Sequence, residues 1–131
     1  MDYILVLAKV QPKEGCQDSI IEVAEELVYE TLQEDGNIDY QLLKSINDDT
    51  LTFVEKWESP EALKKHMASP HFINFGEESG EFVENMDIKV IGAKEIQFCF
   101  QYLYTQSITQ QLILHIIRQQ IPYSLCLCLK L

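Results

Sequence analysis

Two imidazoles and one carboxylate stand out among the side chains that could do chemistry: His66, His71 and, on a β-rich stretch before them, Glu55. Imidazole titrates near neutral pH, which makes His66 the candidate general base; a structural, hydrogen-bonded histidine on a short helix is the competing reading. Five residues turn a helix through roughly 140°, and Pro70 interrupts it, so His66 and His71 are poorly placed to share an ion and no metal site is expected. His71 follows Pro70 in the first turn of a helical piece, where the helix dipole disfavours its protonation. Contact with substrate and packing between two helices are both open to it. Trp57, Phe72 and Phe75 can wall an aromatic pocket or fill a core, and Tyr40 can donate a hydrogen bond to a substrate oxygen. Glu55 alternates onto the same strand face as Trp57. If buried it needs a partner, and orienting His66 is one role; exposure at a strand edge is the other. The sequence has no G-x-G-x-x-G, phosphate-binding loop or metal box, and Cys126-x-Cys128 alone is no redox motif.

The elements that must position these groups are legible from periodicity. Tyr3 to Val10 is a continuous apolar run, which predicts a strand covered on both faces. Ile20, Ala24, Leu27, Val28 and Thr31 recur at helical spacing opposite Glu22, Glu25, Glu26 and Glu30, predicting an amphipathic helix that ends near Asp35-Gly36. Ile38 to Ile46 and Leu51 to Trp57, joined by Asn47-Asp48-Asp49, predict an antiparallel hairpin. Ser59-Pro60 and Ser69-Pro70 each place a capping serine before a proline at the first helical position. They predict a short helix through Ala62, Leu63, His66 and Met67, then a second piece through Phe72, Phe75 and Phe82. Met86 to Ile91, extending toward Ile96, is the last strand. The order β-α-β-β-α-β is that of an α+β, ferredoxin-like fold. Because the first strand is apolar on both faces, a homodimer with two sheets packed face to face is expected.

Composition bounds the function. At 131 residues and 47% apolar content the chain can build one core without disulfides, and its four cysteines are irregularly spaced. A net charge of −11 repels nucleic acids and anionic membrane surfaces, so neither is an expected partner. Met1-Asp2-Tyr3 puts an acid where a signal peptide wants a base, and a reduced cytoplasm is the expected location. The composition breaks at Ile96: residues 97–131 contain no acid and only Arg118 and Lys130 as bases. The expected organisation is therefore a domain over 1–96 and a C-terminal extension over 97–131. Leu112 to Ile117 suggests a helix there and Ser124 to Leu129 a strand, whether the extension covers apolar surface or is a non-native addition. Five glutamines make Gln97 to Ile117 too polar for a membrane span.

The stretch Val54-Glu55-Lys56-Trp57-Glu58-Ser59-Pro60-Glu61-Ala62-Leu63-Lys64-Lys65-His66-Met67-Ala68-Ser69-Pro70-His71-Phe72 resembles the signature of the antibiotic biosynthesis monooxygenase family, E-x-W-x-(S/D)-x-x-A-L-x-x-H-x-x-(S/T)-x-H-F. The nearest branch is similar to the quinol monooxygenases, and the resemblance runs over residues 1–96, including Glu34-Asp35-Gly36-Asn37. It implies a dimeric α+β barrel with a pocket between sheet and helices in each subunit. It also implies oxidation of a small electron-rich aromatic by dioxygen without flavin, haem or metal, hence no cofactor, with His66 at the position of the family's helix histidine. The pocket arginine of some anthrone-oxidising members has no counterpart, since the only arginine is Arg118, and the first strand lacks the asparagine of haem-degrading relatives. Two alternatives stay open: a non-catalytic small-ligand-binding dimer, and an isomerase of a phosphorylated sugar, for which Lys9, Lys44 and Lys56 are the available bases.

Overall fold

The computed structural model describes residues 2–96. In chain order the elements are β1 (Asp2–Pro12), α1 (Gln17–Thr31), β2 (Asn37–Lys44), β3 (Leu51–Trp57), α2 (Pro60–Met67), α3 (Pro70–Ser79) and β4 (Val83–Lys94). The four strands form one antiparallel sheet in the order β2-β3-β1-β4, so the first strand lies in the interior between β3 and β4. This is the expected α+β, ferredoxin-like fold, with the second crossover split into α2 and α3 because Ser69-Pro70 restarts the helix.

Alternation decides which side chains meet the helices. Val6, Ala8 and Val10 of β1 and Leu51, Phe53 and Trp57 of β3 are buried, and they pack with Ile20, Ala24 and Leu27 from one stripe of α1. Tyr40, Ala62 and Phe75 complete this core. On the opposite sheet face Tyr3, Leu5 and Leu7 are only half-buried, and Ile91, the register partner of Leu5, is exposed. The expectation that β1 is covered on both faces is thus met on one face among the described residues. β4 presents Met86, Ile88 and Val90 toward the helix side, opposite Val10, Ala8 and Val6, yet all three are exposed.

Several boundaries differ from expectation. α1 stops at Thr31, before Gly36, because the backbone tightens through N–H donation from Gln33 to Glu30 and from Glu34 to Thr31, three residues back in each case. Thr31 helps close that end by donating its hydroxyl to the Leu27 carbonyl at 2.6 Å. α3 ends at Ser79, so Phe82 lies outside it, and β4 begins at Val83 rather than Met86. The helix and strand expected within 97–131 lie outside the described residues. Among the described residues no helix is long and apolar enough to cross a membrane.

Candidate active site

Three local devices bring distant side chains to one place. Ser59 and Ser69 cap α2 and α3 by accepting from the Ala62 and Phe72 amides at 3.1 and 3.3 Å, each cap contributing about 1 kcal/mol. Between them the Ala68–Ser69 break reorients the chain, so a helical angle computed across Pro70 does not apply. The third device is Gly36, held at φ +87°, with its carbonyl accepting from Glu58 N–H at 2.9 Å. A Cβ at Gly36 would sit 2.6 Å from the Cβ of Ala62, so only glycine lets α2 pack this close to the loop after α1.

That close approach places Glu34 between the two histidines. Glu34 Oε1 lies 2.6 Å from His66 Nδ1 and 2.5 Å from His71 Nε2. A carboxylate can only accept, so both contacts are N–H donations, which fixes the proton of a neutral His66 on Nδ1 and leaves Nε2 as its lone-pair nitrogen. The histidines, expected to diverge, converge. Their donor atoms and the Glu34 oxygen lie within 4.8 Å of one another, a set chemically able to hold a divalent metal. In the observed geometry the direct contacts occupy the space such an ion would need.

His66 is fully buried, and among the described residues its Nε2 has no hydrogen-bond partner. Aromatic rings surround the imidazole: Trp57 at 4.7 Å between centroids, Phe72 at 5.0 Å and Tyr40 at 5.5 Å. Burial holds its pKa below the ordinary histidine value; the Glu34 contact opposes that shift and His71 adds to it. His66 is therefore neutral at neutral pH, as a base must be.

His66 forms part of the wall of a cavity of about 370 Å³ between sheet and helices. Tyr40, Phe72, Phe75 and Glu55 line it too, together with Val6, Phe53 and the exposed Met86, Ile88 and Val90 of β4. Trp57 and His71, expected to touch substrate, do not line it. Trp57 ends β3 and lies against the His66 ring, while His71 donates to the same Glu34 oxygen as His66. Glu55 is buried, as one alternative required, but its partner is not His66: Glu55 Oε2 accepts from Trp57 Nε1 at 2.9 Å. Two residues apart on one strand face, Glu55 and Trp57 satisfy each other, and Glu34 takes the role expected of Glu55. Burial pushes the Glu55 pKa up, against the Trp57 hydrogen bond and with a contribution from the Glu34 charge. Burial, then Glu55 and Glu34, likewise push Tyr40 far up, so its hydroxyl stays protonated. None of Lys9, Lys44 and Lys56 lines the cavity.

Sequence reasoning missed Glu34. It sits in a loop 32 residues before His66, and the one signal that could have found it was Gly36, a glycine in a loop that must be approached closely.

Residues 3–78 match the family model described as antibiotic biosynthesis monooxygenase. The chain is 28% identical over 80 residues to Rv0793 of Mycobacterium tuberculosis, covering 61% of this chain and 79% of that protein. It is 29% identical over 73 residues to YcnE of Bacillus subtilis, covering 55% and 77%. Both relatives are provisionally named monooxygenases. A conserved protein of Methanosarcina mazei Go1 superposes with a TM-score of 0.69 at 29% identity, covering 72% of this chain and 95% of that one.

Proposed function

The chain belongs to the antibiotic biosynthesis monooxygenase family, and from that premise we propose that it is a cofactor-independent monooxygenase acting on a quinol or similar electron-rich aromatic with dioxygen. One observation carries the reading: the His66 imidazole in the cavity wall has Nδ1 held by Glu34 and Nε2 buried without a partner. In this reading the phenolic O–H bond breaks, the proton goes to His66 Nε2, and the electron pair stays on the substrate oxygen. Glu34 supports the imidazolium that forms, and the apolar walls keep water from the anion. A deprotonated quinol is electron-rich enough to reduce dioxygen itself. A hydroquinone and dioxygen give a hydroxyquinone and water: one oxygen atom bonds to a ring carbon, the other leaves as water, and all four electrons come from the substrate. No external reductant is required.

The homodimer is part of the same proposal. Leu5, Leu7, Val54 and Ile91 share the sheet face turned away from the helices, and a second copy packed there would bury it.

Oxygen consumption by chelator-treated protein against a panel of hydroquinols tests the function. The expected result is uptake without added cofactor, lost in His66→Ala with the fold retained. Ligand binding without uptake across the panel would instead favour a non-catalytic binding protein. The isomerase alternative is disfavoured because, among the described residues, no lysine lines the cavity to receive a phosphate.

A further inference from the structure

Glu55 is the buried group that the proposed chemistry leaves unused. It stands mid-sheet on the cavity floor, in register with Val6 of β1 on one side and Tyr40 of β2 on the other. It is 5% exposed. Its hydrogen-bond partner is the Trp57 indole N–H, which reaches only Oε2. Among the described residues no cation pairs with it. A carboxylate buried in apolar surroundings without a cation is costly, and the neutral acid is the form such a site favours. The neutral acid is also a hydrogen-bond donor.

On the reading that the cavity takes an electron-rich phenol, we infer that Glu55 is the specificity-determining residue for a second substrate oxygen, which accepts a hydrogen bond from the protonated Glu55 carboxyl. His66, on α2, faces the sheet from the helix side, so one hydroxyl of the substrate meets Nε2 while the second oxygen rests on the floor. The substrate class is accordingly an aromatic bearing two oxygens, one of them a free hydroxyl. The second needs only a lone pair, so a hydroxyl, a carbonyl or an ether oxygen serves there. The raised pKa of Glu55 agrees with the donor form. The titratable groups that share the cavity wall with it are Tyr40 and His66, and the negative charge of Glu34 adds to the effect of burial in favouring the Glu55 proton.

The test is anaerobic calorimetric titration of the full chain with 4-methoxyphenol and with 4-ethylphenol, which replaces the ether oxygen by a methylene at equal size. Wild type should bind 4-methoxyphenol roughly tenfold more tightly, the worth of one buried hydrogen bond whose loss strands the donor. Glu55→Gln, whose amide N–H still donates, should keep most of that preference, and Glu55→Met should abolish it. Raising the pH until Glu55 ionises should erase the preference in wild type but not in Glu55→Gln, a comparison that needs only two conservatively related proteins. Equal binding of both phenols by wild type, or a preference surviving in Glu55→Met, overturns the inference and leaves the monooxygenase reading standing. Binding of neither phenol overturns both.

Discussion

The helix-side surface of the sheet is finished at one end and bare at the other. Across β2 and β3 the helices cover Tyr40, Phe53, Glu55 and Trp57, and among the described residues His66 Nε2 is the one buried side-chain nitrogen or oxygen without a hydrogen-bond partner. Along β4 the same face carries Met86, Ile88 and Val90, apolar side chains that line the same cavity yet remain exposed. The buried groups with shifted pKa values, Tyr40, Glu55 and His66, lie at the covered end, where water is excluded. The bare end has shape and apolar surface but no polar group to position. Buried polar groups and open apolar surface are thus separated along a single strand order.

That contrast can be broken at either end. The largest effect expected is from His66→Ala, which should reduce oxygen uptake by about 10²- to 10⁴-fold, the usual worth of a general base, with circular dichroism unchanged. Loss of uptake no greater than twofold would remove His66 from the chemistry. On the opposite sheet face, Leu5→Asp should convert a dimer to monomer or aggregate, since burying an unpaired carboxylate costs several kcal/mol. A wild type that is already monomeric at micromolar concentration by light scattering would remove the dimer proposal. At the covered end, Glu34→Ala should cost about 1–3 kcal/mol in denaturant unfolding, because the buried His66 Nδ1–H loses its acceptor.

A subtler test uses pH. The folded-state pKa of Glu55 is raised, so the folded protein holds this proton where the unfolded chain has lost it. The stabilising contribution is therefore complete below the unfolded value near 4.5 and is lost as pH rises to and through the folded value. Glu55→Gln should flatten that decline in thermal melts from pH 4 upward. Smallest of all, Ile88→Ser on the bare flank should change monomer stability by less than about 0.5 kcal/mol. A larger loss that depends on protein concentration would mean that a second copy covers β4.

Much of this architecture was readable before any coordinates. The hairpin followed from alternation around Asn47-Asp48-Asp49, and both helix starts from Ser-Pro pairs, because capping and φ restriction are local. For Tyr40, Phe72 and Phe75 the sequence left pocket wall and core equally open; all three line the cavity, and Tyr40 and Phe75 belong to the core as well. Glu34 did not follow. Its role depends on a loop pressed against a helix 32 residues away, and no local periodicity encodes that distance. Nor did the convergence of His66 and His71, where angular arithmetic valid within one helix fails at a capped break. The Glu55–Trp57 bond was hidden by its simplicity: neighbours on the same strand face paired with each other rather than across the fold.

The indole of Trp57, the only tryptophan in the chain, lies 4.7 Å from the His66 imidazole at 36° between planes. A protonated imidazole at that range accepts an electron from an excited indole and quenches it; a neutral one does so weakly. The protein therefore carries its own optical gauge of the proposed base. Its ultraviolet emission should dim on acidification with a midpoint below that of free histidine, in step with the burial that holds His66 neutral. Each proton that His66 takes from a bound phenol would register in the same signal, on the timescale of the transfer.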